Sequence, residues 1–277
     1  MSKAQGEMNS CLSVVEIDNE AGKASMSEYQ RHDEHVLICL AHGSLTMSVD
    51  FGDYTARGPA MIMIPARALY RVTNTQEANG MIVRFQNQFF APGQRVLLHG
   101  FLFQSISKRL LVQPINPSHR ALITGYLQLL QKELGAEPSQ NQTFILQNLM
   151  LALLNRVEDL YKFAEAPYIG HKDTFQKFVT LVEHNFSAQQ GVGYYCERLG
   201  CTQRQLNQIL RNLIDQTARD FIIDRVLLEA KRILSFSDLN IKTIAIKLGY
   251  DNPFYFSRLF KKRLGLSPEE FRAKHAL

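Results

Sequence analysis

The sequence predicts an α+β protein of two domains, a small β-barrel with two helices and then an all-α domain with two helix-turn-helix motifs. The chain has 277 residues, which exceeds the length of a typical single domain. Residues 12–86 contain short apolar and β-branched runs separated by glycine and proline, as small antiparallel barrels do. Beyond Pro167 and Gly170, which break the pattern, every segment has helical periodicity. We therefore place the two domains at residues 1–165 and 171–277.

The strands of the barrel are predicted at four apolar runs, which begin at Leu12, His35, Ser44 and Met61. An aromatic-rich stretch follows at residues 88–112. Its aromatic and apolar residues include Phe89, Phe90, Phe101, Leu102 and Phe103. Such a cluster is typical of a hydrophobic core, and the alternative interpretation is one apolar wall of a ligand cavity.

Two amphipathic helices are predicted next. The apolar face of the first helix consists of Leu122, Tyr126, Leu129, Leu130 and Leu134. The second helix, at about residues 141–163, has an apolar stripe with a helical period. The stripe consists of Leu146, Leu149, Met150, Leu153, Val157 and Leu160. Two interpretations are open, because the stripe suits both a homodimer contact and a helix buried on its own barrel.

Residues 240–272 have the order of a helix-turn-helix motif, whose second helix can lie in a major groove of DNA. A short helix from Ile241 to Leu248 leads through Gly249 and Tyr250 into a second helix, from Pro253 to Leu264.

A similar motif precedes it. A short helix at residues 193–199 is followed by a turn at Gly200 and by a helix at residues 203–214, which Thr202 can cap. A long helix at residues 217–235 connects the two motifs.

Charge and cysteine content narrow the possible functions. Residues 168–277 hold 17 Lys and Arg against 11 Asp and Glu, a net +6, which suits a polyanionic partner. The four cysteines form no C-x-x-C pair and lack an accompanying His cluster, so we interpret them as structural thiols and expect neither metal nor cofactor. We find no secretion signal and no apolar run long enough for a membrane span, so we expect a cytoplasmic protein with no membrane partner.

The second motif resembles that of the AraC/XylS family of bacterial transcription regulators, and the resemblance is strong over the last hundred residues. The matching residues are Ala245, Gly249, Tyr250, Phe256, Ser257, Arg258, Phe260, Lys261, Gly265, Ser267, Pro268 and Arg272. The resemblance implies a cupin-like N-terminal barrel that dimerises the chain and senses a small-molecule effector. It also implies double-stranded promoter DNA and RNA polymerase as partners, most often with the effect of an activator. Control by a partner protein or by abundance alone is the alternative.

The family motif assigns roles to residues of this chain. Its base-facing positions fall on Gln203, Arg204, Asn207 and Gln208 in the first motif and on Pro253, Phe254, Ser257 and Arg258 in the second. Arg, Asn and Gln carry the paired donors and acceptors that base edges require, so we expect the first motif to provide most of the direct readout. Arg211, Lys242, Lys261 and Lys262 are candidates for phosphate contacts.

One position departs from the family pattern. Val226 lies where the connecting helix often has Arg, and the nearest cation is Arg225.

The N-terminal domain offers two further hypotheses. Arg67, Tyr70 and Arg71 follow a predicted strand and could hold a carboxylate effector, and the alternative is a solvated strand end. A cupin-type enzyme would need a close set of His residues with a carboxylate, which His32, His35 and His42 do not form. The sequence also lacks a Gly-rich phosphate loop and a nucleophile elbow, so we predict that the protein is not an enzyme.

Overall fold

The computed structural model describes residues 11–17, 28–90, 112–160 and 169–276. The chain divides into two compact units, residues 1–165 and residues 166–277. We describe each unit by itself. Pro167 and three of the aromatic-stretch residues, Phe101, Leu102 and Phe103, lie outside the described residues.

An antiparallel sheet of six strands forms the first part of the N-terminal unit. The strands are β1 (Leu12–Ile17), β2 (His35–Val49), β3 (Gly52–Arg57), β4 (Ala60–Ile64), β5 (Tyr70–Phe85) and β6 (Val112–Pro114). Their order across the sheet is β1-β5-β2-β4-β6, and β3 pairs with β2.

The long strand β2 replaces the two strands that the sequence predicts at His35 and Ser44. Its register with β5 shifts between Leu40 and His42 and again between His42 and Ser44. A β-bulge bends a strand without ending its pairing, so the prediction of two strands is wrong. Gly43 lies at this bend, where an added Cβ would collide with the carbonyl of Glu77.

Alternate residues of the strands enter two apolar clusters. Val36, Ile38 and Leu40 of β2 belong to one cluster, which also takes residues from β3, β4 and β5, so the curved sheet surrounds it. Leu37 and Cys39 belong to the other cluster, which includes residues of the two helices α1 (Pro117–Leu134) and α2 (Gln142–Leu160). Phe89 and Phe90 are also buried in this second cluster, as the core interpretation of the aromatic stretch requires.

The buried face of α1 differs from the predicted one. Ile123, Leu127 and Leu130 are buried, whereas Leu122 and Leu129 are 47% and 51% exposed. The predicted face is wrong at those two leucines because two apolar stripes lie side by side on α1, and only one of them contacts the sheet and α2.

The apolar stripe of α2 is buried within its own unit. Leu146, Met150, Leu153 and Val157 are at most 1% exposed, and Leu149 and Leu160 pack partly buried against the same cluster. Leu146, Met150, Leu153 and Val157 thus fit the alternative of a helix buried on its own barrel, because side chains enclosed between a sheet and a neighbouring helix cannot reach a second copy. A dimer contact through Leu149 and Leu160 stays a prediction. The periodicity of α2 reflects its own core.

The described part of the C-terminal unit is helical throughout. Its helices are α3 (Ile169–Asn185), α4 (Val192–Leu199), α5 (Gln203–Ile214), α6 (Ala218–Phe236), α7 (Ile241–Lys247), α8 (Pro253–Leu264) and α9 (Pro268–His275). Helix α6 holds the unit together: the ring of its Phe221 lies 5.4 Å from that of Phe178 in α3. The rings of Phe260 in α8 and Phe271 in α9 pack 5.6 Å apart.

A buried ion pair joins α3 to α6. Arg225 is 5% exposed, and its Nε donates to the two carboxylate oxygens of Glu183 at 2.8 and 3.0 Å. Its guanidinium also lies 4.0 Å from the ring centre of Phe186 and 3.4 Å from the carboxylate of Glu229. Arg225 is thus a structural cation that is turned away from solvent, while Val226 is fully buried in the core.

Candidate nucleic-acid interface

The first motif consists of α4, a turn and α5. Gly200 ends α4 in the left-handed conformation, and Thr202 starts α5 with a capping box. The Thr202 hydroxyl accepts from the Gln205 N–H at 3.2 Å, and the Gln205 side chain accepts from the Thr202 N–H at 2.8 Å. This reciprocal pair satisfies two backbone donors that a helix start otherwise leaves open, so it fixes where α5 begins.

Helix α5 has one buried face and one polar face. Leu206, Ile209 and Leu210 are buried. The base-facing candidates Gln203, Arg204 and Gln208 are exposed on the other side. Exposed guanidinium and amide groups in the first turns of a recognition helix are the arrangement that reads base edges in a major groove.

Asn207 differs from its neighbours on this face. Its side chain is only partly exposed, and its Oδ1 accepts from the Ala218 N–H at 2.9 Å. Ala218 is the buried first residue of α6, so Asn207 satisfies one of the open backbone donors at the start of the connecting helix. The sequence could not show this contact, because the two residues are eleven positions apart and lie on different helices.

The second motif consists of α7, a turn at Gly249 and α8. Gly249 has a φ of 81°, and an added Cβ would collide with the carbonyl of Ser187. The Gln190 side chain, from the same loop before α4, donates to the Leu248 carbonyl at 2.6 Å. Asn252 caps α8 by accepting from the Phe254 and Tyr255 N–H groups. The loop before the first motif therefore supports the turn of the second.

The outer surface of α8 carries few groups that could define a base. Phe254 is 80% exposed and Tyr255 is 44% exposed, whereas Pro253 and Ser257 are partly buried. Arg258 is the exposed cation of this set. Aromatic rings can contact thymine methyl groups but offer no donor and acceptor pattern.

Cations surround both recognition helices. The four candidates for phosphate contacts, Arg211, Lys242, Lys261 and Lys262, are all exposed. A groove of about 750 Å³ between α6 and α8 also contains Arg219, Arg258, Lys262 and Arg263. Arg219 was not among the predicted residues, because its role depends on a surface that α6 and α8 form only after folding.

One acidic residue lies in this groove. Asp220 accepts from the Thr217 hydroxyl at 2.6 Å and pairs with Arg263. These hydrogen bonds hold the pKa of Asp220 below its ordinary value. Arg263 is therefore partly neutralised, whereas Arg219, Arg258 and Lys262 remain as the cations of the groove.

The structure does not bring the three effector candidates together. The Arg67 side chain is 63% exposed and pairs with Asp33 at 2.8 Å. Tyr70 is 2% exposed, lies in the cluster that the sheet surrounds, and donates through its hydroxyl to Gln30. The guanidinium of Arg71 lies over the ring of Tyr29 at 4.5 Å. As neighbours on a strand, Tyr70 and Arg71 point to opposite faces, so the three residues do not form one carboxylate site.

His35 is the one histidine of the three that is buried, and its position is structural. Its Nδ1 accepts from the Ala66 N–H at 3.1 Å, so its Nε2 donates to Asn87 at 3.0 Å. Burial lowers the pKa of His35 to about 4. Among the described residues, no group of three or more His, Cys, Asp or Glu could hold a metal ion. Nor does the described part of the chain contain a helix that is long and apolar enough to cross a membrane.

Comparisons with known proteins agree with this geometry. The family model of a helix-turn-helix domain matches residues 195–274, which include α5 to α8 and most of α4 and α9. The transcriptional regulator CdhR of Pseudomonas aeruginosa is 34% identical over 77 residues, 28% of this chain and 23% of CdhR. The transcriptional activator RhaS of Mannheimia succiniciproducens is 20% identical over 246 residues, 87% of each chain. These relatives are transcription regulators, not enzymes.

A solved structure is similar over most of the chain. ToxT from Vibrio cholerae O395 is 15% identical, and the match covers 95% of this chain and 97% of ToxT with a TM-score of 0.44.

Proposed function

Because the chain belongs to the AraC/XylS family of DNA-binding transcription regulators, we propose that it binds promoter DNA by placing α5 and α8 in two successive major grooves. The observation that carries this proposal is the polar face of α5. There, a capping box fixes the start of the helix, a buried apolar face holds it in place, and Arg204 and Gln208 project into solvent.

The two recognition helices have different tasks in this proposal. Helix α5 reads bases through Gln203, Arg204 and Gln208, since these side chains are exposed and have hydrogen-bonding groups suited to base edges. Asn207 instead supports α6, because its oxygen is already used by the Ala218 N–H.

Helix α8 holds the DNA backbone. Its exposed face has one cation and two aromatic rings near its start, and Lys261 and Lys262 near its end. The groove between α6 and α8 adds Arg219 beside Arg258 and Lys262. Cations that lie together in one groove can bind the phosphates of the DNA backbone, and such contacts carry no sequence preference.

The N-terminal unit supplies dimerisation in this proposal, by a face other than the predicted stripe. Leu122 and Leu129 are seven residues apart on α1, and about half of each side chain is exposed. Large apolar side chains that repeat on one side of a helix support pairing with a second copy.

Effector sensing by the N-terminal unit stays part of the proposal, but without an assigned site, because Arg67, Tyr70 and Arg71 point in different directions. The name of RhaS describes an activator. We propose that this chain also activates transcription, with RNA polymerase as its partner at the promoter.

Selection of duplexes from a random DNA library by the full-length protein tests the proposal. We expect an enriched site with two conserved segments about one helical turn apart, roughly 10 base pairs, since each recognition helix meets one major groove. The protein should also bind less tightly as salt concentration rises. Recovery of unenriched sequences would reject sequence-specific binding.

A further inference from the structure

Two of the four cysteines meet at the turn of the first helix-turn-helix motif. The Cys201 N–H donates to the Cys196 carbonyl at 3.1 Å, and the Gly200 N–H donates to the Glu197 carbonyl at 3.3 Å. These two hydrogen bonds form a Schellman motif, which brings the side chains at its two ends together. In most helices that contact is between apolar side chains. Here the residues at the two ends are both cysteines, Cys196 and Cys201.

The sequence alone gives no reason to connect these residues, since they are five positions apart and do not form a C-x-x-C pair. Both are free cysteines. Cys196 is 8% exposed, whereas Cys201 is partly exposed and open to a small oxidant. The other two cysteines, Cys11 and Cys39, are buried in the N-terminal unit.

We propose that Cys196 and Cys201 form a redox modification site, at which a hydroperoxide converts the two thiols into an intrachain disulfide. The effect of this disulfide on DNA binding rests on the proposed function. The bond would act at the start of α5, because Cys201 immediately precedes Thr202, the residue that caps this helix.

The reaction has two balanced steps. The Cys201 sulfur attacks an oxygen of the hydroperoxide, the O–O bond breaks, and an alcohol, or water from hydrogen peroxide, leaves with the thiol proton. The product is a sulfenic acid at Cys201. The Cys196 sulfur then attacks the Cys201 sulfur, the S–O bond breaks, and water leaves with the Cys196 proton. Two electrons pass from the sulfur atoms to the peroxide.

The order of attack follows from the surroundings of the two thiols. Burial raises the pKa of both thiols, so exposure and not acidity distinguishes them. Cys201 is the more exposed of the two thiols, which makes it the first to meet the oxidant. Burial raises the pKa of Cys39 to about 11, so this thiol is a poor competitor.

The disulfide would change the geometry of the turn. The sulfur atoms of two free thiols lie well beyond bonding distance, whereas an S–S bond is about 2.05 Å long and restricts its torsion angle. Cys201 must move toward Cys196, and Thr202 moves with it. The capping box between Thr202 and Gln205, which sets the start of α5, is therefore disturbed.

The experiment treats reduced full-length protein with hydrogen peroxide and maps its peptides without reduction. Arg198 lies between the two cysteines, so trypsin separates them and the disulfide links two peptides that can be identified by mass. Affinity for the fluorescein-labelled duplex selected from the random library is measured before oxidation, after it, and after dithiothreitol. We expect the linked peptide and a loss of affinity of about threefold to tenfold, as for a disturbed helix cap, with recovery on reduction.

Two variants control the result. Cys201→Ser should bind DNA like the reduced parent and should show neither the linked peptide nor the loss of affinity. Cys11→Ser, in the other unit, should respond like the parent. Absence of the linked peptide, or an unchanged response of Cys201→Ser, would overturn the proposal, and a linked peptide without a change in affinity would overturn its coupling to α5. If the reduced protein selects no DNA, the proposed function fails, while the peptide map still decides whether the disulfide forms.

Discussion

Replacing Asn207 with alanine should lower the stability of the C-terminal unit, whereas replacing Arg204 should change only how the protein reads DNA. The Asn207 oxygen satisfies the N–H of Ala218, a completely buried residue. Loss of the acceptor leaves a buried donor at the start of α6 without its partner, which costs about 1–3 kcal/mol of unfolding free energy. Arg204 is exposed on α5, so its removal should alter stability by less than about 0.5 kcal/mol.

In DNA binding, the Arg204 change should alter base preference, whereas the Asn207 change should not. Loss of a two-point contact from Arg204 to a base should cost about 1–3 kcal/mol and relax the preference at one or two positions of the selected site. Asn207→Ala should weaken binding to all sequences alike, because a loosened start of α6 shifts both motifs. Asn207→Asp keeps the acceptor oxygen for Ala218 and serves as the matched control for stability.

The assays are urea unfolding followed by circular dichroism, and selection from the random library for each variant. If Asn207→Ala unfolds at the same urea concentration as the parent but selects a different base, Asn207 is a base reader and its contact with Ala218 is incidental. If Arg204→Ala keeps the parent preference and loses only overall affinity, the assignment of base reading to α5 is wrong.

Three other predictions follow from the contacts described above. Lys262→Ala should weaken binding to every sequence equally and reduce the slope of log affinity against log salt by about 0.9, and an unchanged slope would place Lys262 away from phosphate. Replacing both Leu122 and Leu129 with lysine should give a folded monomer by light scattering, and a dimer that survives this change would reject α1 as the dimer contact. By contrast, Leu153→Lys should unfold the N-terminal unit, because Leu153 is fully buried. Burial lowers the pKa of His35 to about 4 in the folded protein, against an ordinary 6.5, so only the unfolded chain takes up a proton as the pH falls from 6.5 to 4. The unfolding free energy should therefore drop by up to about 3 kcal/mol over this range. If a His35→Gln variant shows the same drop in urea titrations, the drop comes from other groups.

The sequence predicted best those features that depend on local signals. The bounds of α5 and α8 match the prediction because Thr202, Pro253 and Gly265 act on their own neighbours in the chain, as caps and helix ends do. Periodicity also revealed an apolar stripe on α2. It could not reveal which neighbour covers that stripe, because a dimer partner and the protein's own sheet require the same spacing.

Features that join distant parts of the chain were beyond local signals. The acceptor role of Asn207 and the cationic groove between α6 and α8 exist only once the helices are packed. The polar middle of β5, with Thr73, Asn74 and Gln76, hid a strand of 16 residues, because its pairing with β2 gives the strand its order. In each case the missing information is which elements become neighbours.

The contact of Gln190 and Ser187 with the end of α7 limits which operators the protein can use. This loop fixes the second motif to the first at a point other than α6, so the angle between α5 and α8 has little freedom. Each base pair added between two DNA segments turns one about the helix axis by roughly 34–36° relative to the other. A protein with a flexible connection could follow that rotation, whereas this one should lose the second segment with a single inserted base pair. An insertion of a full turn should not restore the contact, because it moves the second segment roughly 34 Å further along the DNA.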